Sequence, residues 1–92
     1  SYMTQVVKEL QAKSPNWRTI RQIIADANVN DFEELYRYLY DNASDYASGN
    51  EGMVAIYINE YTYQSNFRID KEINCMALIS RLIELAKPQL IK

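Results

Sequence analysis

The chain has 92 residues, 48% of them apolar and 24% charged, with ten basic against twelve acidic side chains. That is room for one compact core and not two. Histidine is absent, glycine occurs only at 49 and 52, and Cys75 is the single cysteine; this removes the commonest general base and zinc ligand, any glycine-rich phosphate loop and any intramolecular disulfide.

Hydrophobic periodicity predicts helices almost throughout. Val6, Val7 and Leu10 give an amphipathic stretch over 3–13. Ser14 and Pro15 then read as a cap and a first helical residue, opening a second helix over 15–27. Its buried stripe is expected to be Trp17, Ile20, Ile24 and Ala27, widened by Ile23. Asn28-Val29-Asn30 breaks the pattern. Asn30 or Asp31, each with a glutamate three residues on, predicts a capping box for a third helix. That helix carries Phe32, Leu35, Tyr36 and Leu39 on one face and is expected to last to Tyr46.

Residues 48–52 form the clearest loop, with Gly49 suited to a left-handed helix terminus. A fourth helix is expected over 51–64, with Val54, Tyr57, Ile58 and Tyr61 inward. Phe67, Arg68 and Ile69 read as a short link whose apolar members turn to the core. Asp70 caps the fifth helix, and Asp70 and Glu72 complement its dipole. Ile73, Met76, Ala77, Ile79, Leu82, Ile83 and Leu85 leave it little polar surface, so it is either the central helix or the one that meets a partner. Pro88 marks its end. The fold class is therefore all-α, a compact bundle of about five helices forming one domain over 1–92.

Few residues are placed to carry chemistry. Glu33 and Glu34 point about 100° apart on a helix, and Asp41 and Asp45 fall near a helix end in expected solvent. Neither pair makes a persuasive catalytic or metal site, and no calcium loop is present. Cys75 between apolar neighbours reads as a small buried hydrophobe. No catalytic, metal or cofactor site is expected, and the fragment is not read as an enzyme. The bases are scattered, Arg18 and Arg21 being the nearest thing to a patch, whereas a backbone-tracking protein shows a basic excess on one face. The absence of a membrane-length apolar run or signal-peptide pattern, with the lone cysteine, points to a soluble cytoplasmic protein.

The tyrosines are the unusual feature, with Tyr36, Tyr38, Tyr40, Tyr46, Tyr57, Tyr61 and Tyr63 in the middle of the chain. Tyrosine packs its ring while its hydroxyl stays wet or bonded. Without surrounding positive charge, a core rim or a protein interface is favoured over base stacking.

From Val54 to Leu85 the chain resembles the collar domain of clamp-loader small subunits, the replication factor C type and its phage relatives. Glu60, Tyr63, Glu72, Ile73, Ala77 and Leu78 fall where that family has similar residues. The stretches 6–10, 20–24 and 32–40 are similar to its earlier helices, in the same order. Thr62, Gln64 and Asn74 depart from the family's usual acidic, basic and glutamine residues. The resemblance implies a helical domain that holds a multi-subunit ring together, with the ATPase machinery in an amino-terminal part absent from these residues. Candidate subunit-interface residues are Tyr57, Tyr61 and Tyr63 on the fourth helix, with Asn74 and Arg81 on the fifth. The implied partners are other clamp-loader subunits, a homo-oligomer among the options. DNA and the sliding clamp would be met only through the full complex, and no membrane is implied. The alternatives are a small helical nucleic-acid-binding protein acting through Arg18 and Arg21, or a phage or bacterial adaptor of other function.

Overall fold

The computed structural model describes residues 1–67 and 70–87. The expected features at Arg68, Ile69 and Pro88 lie outside the described residues. Among those described, the chain is all-helical: α1 Tyr2–Leu10, α2 Trp17–Ala27, α3 Glu33–Asp41, α4 Ala43–Tyr46, α5 Glu51–Ser65 and α6 Lys71–Leu85.

Each boundary has a local cause. Ser1 caps α1, its Oγ accepting from the Thr4 amide at 3.4 Å. The second helix starts later than Ser14 and Pro15 predict. Asn16, in extended backbone, caps it by accepting from the Thr19 amide at 2.9 Å, and its own amide donates to the Glu9 carboxylate at 3.0 Å. Held from both sides, Asn16 displaces the cap to itself and leaves Pro15 outside the helix. Asn28 ends α2 in the left-handed region at φ 53°.

The expected capping box does not form. Asp31 accepts instead from the Glu33 amide two residues on at 3.1 Å, and buried Phe32 occupies the cap position without a side-chain bond. The third expected helix is also two helices. Asn42 bonds both its amide and its side-chain Nδ2 to the Tyr38 carbonyl, at 3.1 and 2.8 Å. Such local side-chain bonding competes with helix continuation. Tyr46 then donates its hydroxyl to the Leu39 carbonyl at 2.7 Å, satisfying a group in the last turn of α3.

Gly49 takes φ 89°, as the loop predicts. Asp70 caps α6 as expected, accepting from the Ile73 amide at 3.0 Å. The far end of α6 is pinned by Asn50, which donates to the Leu85 carbonyl at 3.0 Å, and by the Lys87 amide on the Tyr46 carbonyl at 2.9 Å.

The five longer helices neighbour one another in a closed cycle, α1–α2–α6–α5–α3 and back to α1, with α4 packed against α1 and α5. Inside the cycle lie Leu10, Ile20, Ile24, Leu35, Leu39, Tyr46, Val54, Leu78, Ile79 and Leu82, all fully buried or nearly so. Burial of each large aliphatic chain contributes about 1.5–3 kcal/mol before entropy is charged. No helix among the described residues is long and apolar enough to cross a membrane.

Candidate interaction surface

Three of the five expected interface residues meet where α5 packs on α6. Arg81 lies over the Tyr57 ring, 5.5 Å from guanidinium carbon to centroid, and near Glu84 at 3.7 Å. A hydrogen bond with Tyr61 raises the Arg81 pKa further, fixing its charge. Tyr57 and Tyr61 are each partly buried against the core. The cluster clasps two helices and leaves the guanidinium in solvent.

Asn74 does something different. It is only 5% exposed, and its Nδ2 donates to the Tyr36 hydroxyl at 3.2 Å and to the Tyr61 carbonyl at 2.9 Å. Both amide protons are thus spent inside the chain, joining α3, α5 and α6. Cys75 shares this buried network through a hydrogen bond with Tyr36, and burial pushes its thiol up to about 12. Burial likewise raises the Tyr36 phenol well above its ordinary range. A thiol so protonated is a packing group and not a nucleophile.

Tyr63 stands apart from both. It is 65% exposed on the outer side of α5, its ring 5.1 Å from that of Phe67. Phe67, expected to turn inward, is 70% exposed. The inward position at that end of α5 belongs to buried Ser65, whose hydroxyl donates to the Thr62 carbonyl at 2.8 Å. A residue two further on points the other way. Met53 and Ile56 are exposed on the same side. Met53, Ile56, Glu60 and Tyr63 therefore follow spacings of three, four and three along the outside of α5, and Phe67, two residues past its end, extends that seam. Sequence reading named Tyr63 alone; the seam was visible as α5 being apolar on two faces.

A second apolar surface lies between α2 and α6. Trp17, expected on the buried stripe, is 38% exposed, and its indole nitrogen donates to the Met76 carbonyl at 3.3 Å. As first residue of α2 it reaches sideways over α6, where its N–H finds a partner. With Arg21, Glu72, Ile73, Met76, Ala77 and Ser80 it lines an open groove of about 330 Å³. Ile73, counted above among the apolar residues of α6, is 68% exposed there.

The carboxylates do not assemble. Asp41 is bonded to Arg37 at 3.0 Å, and Asn42 interrupts the helix between it and Asp45. Among the described residues no three potential metal ligands gather. Arg18 and Arg21 are exposed on α2.

No family model, curated protein or solved structure matches this chain.

Proposed function

We propose that this chain is a protein–protein assembly domain, the collar of a sliding-clamp loader's small subunit. The observation that carries the reading is the outer seam of α5. Val54 and Ile58 already bury one side of that helix in the core, yet Met53, Ile56 and Tyr63, with Phe67 just past its end, expose apolar groups on the other side around the single charge of Glu60. A bundle helix normally keeps charged or polar residues there, and contiguous exposed apolar surface marks an interaction site. The family resemblance of the sequence supplies the kind of assembly, a ring held by helix packing. Aromatic anchors at the centre of such a contact carry most of its energy. ATP hydrolysis would belong to an amino-terminal module of the same polypeptide and not to these helices.

The test uses the protein encoded by the whole reading frame that contains these residues. The frame should specify a nucleotide-binding ATPase module before Ser1, and its product should sediment with its partner subunits as a ring. Replacing Tyr63 and Phe67 together by alanine should release subunits from that ring. A frame with no such module, or a ring indifferent to the double substitution, overturns the collar reading.

A further inference from the structure

We infer that two polar residues, Asn74 inside and Glu60 outside, decide which apolar face α6 and α5 turn to the core, a choice that the apolar residues of these helices leave open. The choice is made within one chain and is independent of what the chain assembles into.

The ambiguity lies where the packing is most extensive. Helices α5 and α6 meet over more of their length than any other pair, and each is apolar on more than one side. Helix α6 turns Cys75, Leu78, Ile79 and Leu82 inward. Rotated about its axis by one residue's step, about 100°, it would instead turn in Ile73, Met76, Ile79 and Ile83, at spacings of three, three and four. Helix α5 buries Val54 and Ile58; roughly half a turn of rotation would offer Met53, Ile56 and Tyr63 in their place. Helix α2 has no such alternative, because Arg18, Arg21, Gln22 and Asp26 occupy its outer side. Swapping aliphatic groups of similar volume changes a core's free energy little, so apolar content alone leaves α5 and α6 with near-equal placements.

Polar side chains separate those placements. Asn74 lies on the inward side of α6 and is only 5% exposed, with both Nδ2 protons donated, one to the Tyr36 hydroxyl of α3 and one to the Tyr61 carbonyl of α5. The alternative rotation carries Asn74 out of the core and parts it from both acceptors, at the cost of a buried hydrogen bond. Trp17 and Asn50 also reach α6, but they bond the backbone carbonyls of Met76 and Leu85, a group that every residue of a helix carries. Arg81 meets Tyr57 at the solvent edge, where such contacts discriminate less. Only Asn74 identifies one buried face of α6 by its side chain. Glu60 does the converse for α5. It is exposed among Met53, Ile56 and Tyr63, and turning that side inward would bury its carboxylate. One buried asparagine fixes the register of paired helices in the same way, without adding apolar area.

The experiment replaces both ends of the buried bond in the 92-residue chain, Asn74→Leu together with Tyr36→Phe, so that no hydroxyl is left without its donor. Helicity should persist, and the urea midpoint should stay within about 1 M of wild type, since removing both partners is far milder than removing one. The isoleucine methyl spectrum should change more. Wild type gives one signal each for Ile73, Ile79 and Ile83; the paired variant should add a second set, populated to about 10% or more, in which the Ile73 methyl contacts core leucines. Adding Glu60→Leu should extend the doubling to Ile56 and Ile58. Ile20 and Ile24 on α2 should stay single throughout. One set of signals in the paired variant overturns the inference, as does loss of cooperative unfolding, which would make the network a source of stability and not of choice. Doubling that includes α2, or that grows with protein concentration, overturns it too, because general loosening or association would then be the cause.

Discussion

Tyr46 and Tyr63 sit on the same small bundle and do opposite things. Tyr46 is fully buried, bonds the Leu39 carbonyl through its hydroxyl, and lends its own carbonyl to the Lys87 amide. With Asn50 on Leu85 it closes one end of the molecule on itself. Among the described residues, the Tyr63 ring meets only that of Phe67, and its hydroxyl makes no hydrogen bond that joins two helices. The first end spends its aromatic group on stability; the second leaves its aromatics on the surface. A count of tyrosines is silent about which is which.

The sharpest way to break this contrast is at Tyr46. Tyr46→Ala should cost about 3–5 kcal/mol in urea unfolding, comparable with much of the stability of a domain this size. Tyr46→Phe keeps the ring and strands the Leu39 carbonyl, so about 1–3 kcal/mol should be lost. A phenylalanine variant as stable as the parent would mean that the hydroxyl bond carries nothing.

Asn74→Leu comes next, at about 1–3 kcal/mol, because it removes the side-chain donor that the Tyr61 carbonyl and the Tyr36 hydroxyl share in the core and leaves the hydroxyl only its Cys75 partner. Should that variant unfold at an unchanged denaturant midpoint, the buried network is dispensable and Asn74 becomes available again as an interface residue. Trp17→Ala is expected to cost less than a core tryptophan, about 1–2 kcal/mol, since its ring is part of the groove wall. At the bottom of the scale, Tyr63→Ala and Phe67→Ala should each leave chemical denaturation within about 0.5 kcal/mol of wild type. A large loss at either position would return the seam to the core.

The pH dependence follows from the same buried network. The Cys75 thiol is held at about 12 against an ordinary 9.0, so the folded state favours the protonated form. Its contribution is fully present below about pH 9, where the unfolded thiol also keeps its proton, and is lost as pH climbs from there towards 12. Buried Tyr36 and Tyr46, also raised, act in the same direction. Melting temperature should therefore hold level through neutrality and fall on the alkaline side, with a shallower early fall in Cys75→Ala. At pH 8 the native thiol should react with a disulfide reagent far more slowly than in urea; equal rates would place Cys75 at the surface.

Much of the architecture was legible because strong local signals and the apolar period agreed. Asp70 with an amide three residues on, Gly49 in left-handed backbone, and the buried run Phe32, Leu35, Tyr36 and Leu39 needed no tertiary information. The division at Asn42 depended on which way one amide side chain bonds, and the start of α2 on a carboxylate arriving from α1. Those are tertiary or near-local choices that composition does not decide. For the surface, helical spacing set Tyr57 and Tyr61 one turn apart, but only the packing of α6 on α5 brings Arg81 over Tyr57. Asn74 looked equally suited to a partner until its bonds to Tyr36 and Tyr61 were seen. Met53, Ile56 and Phe67 were missed because periodicity locates apolar faces without saying which one the core takes.

The closed cycle of helices also governs the order in which the chain can acquire its shape. Helix α6 is the last described helix to leave the ribosome, and it supplies the neighbour that α2 and α5 both require. Until Leu78, Ile79 and Leu82 have emerged, the interior faces of α2 and α5 stay only partly covered, by α1 and α3. An α1–α2 pair can associate early, since its partners are close in sequence, but the α2–α6 junction spans most of the chain and must wait. Nascent chains stopped before Lys71 should therefore remain protease-sensitive and chaperone-bound, and only completion of α6 converts them to the resistant form.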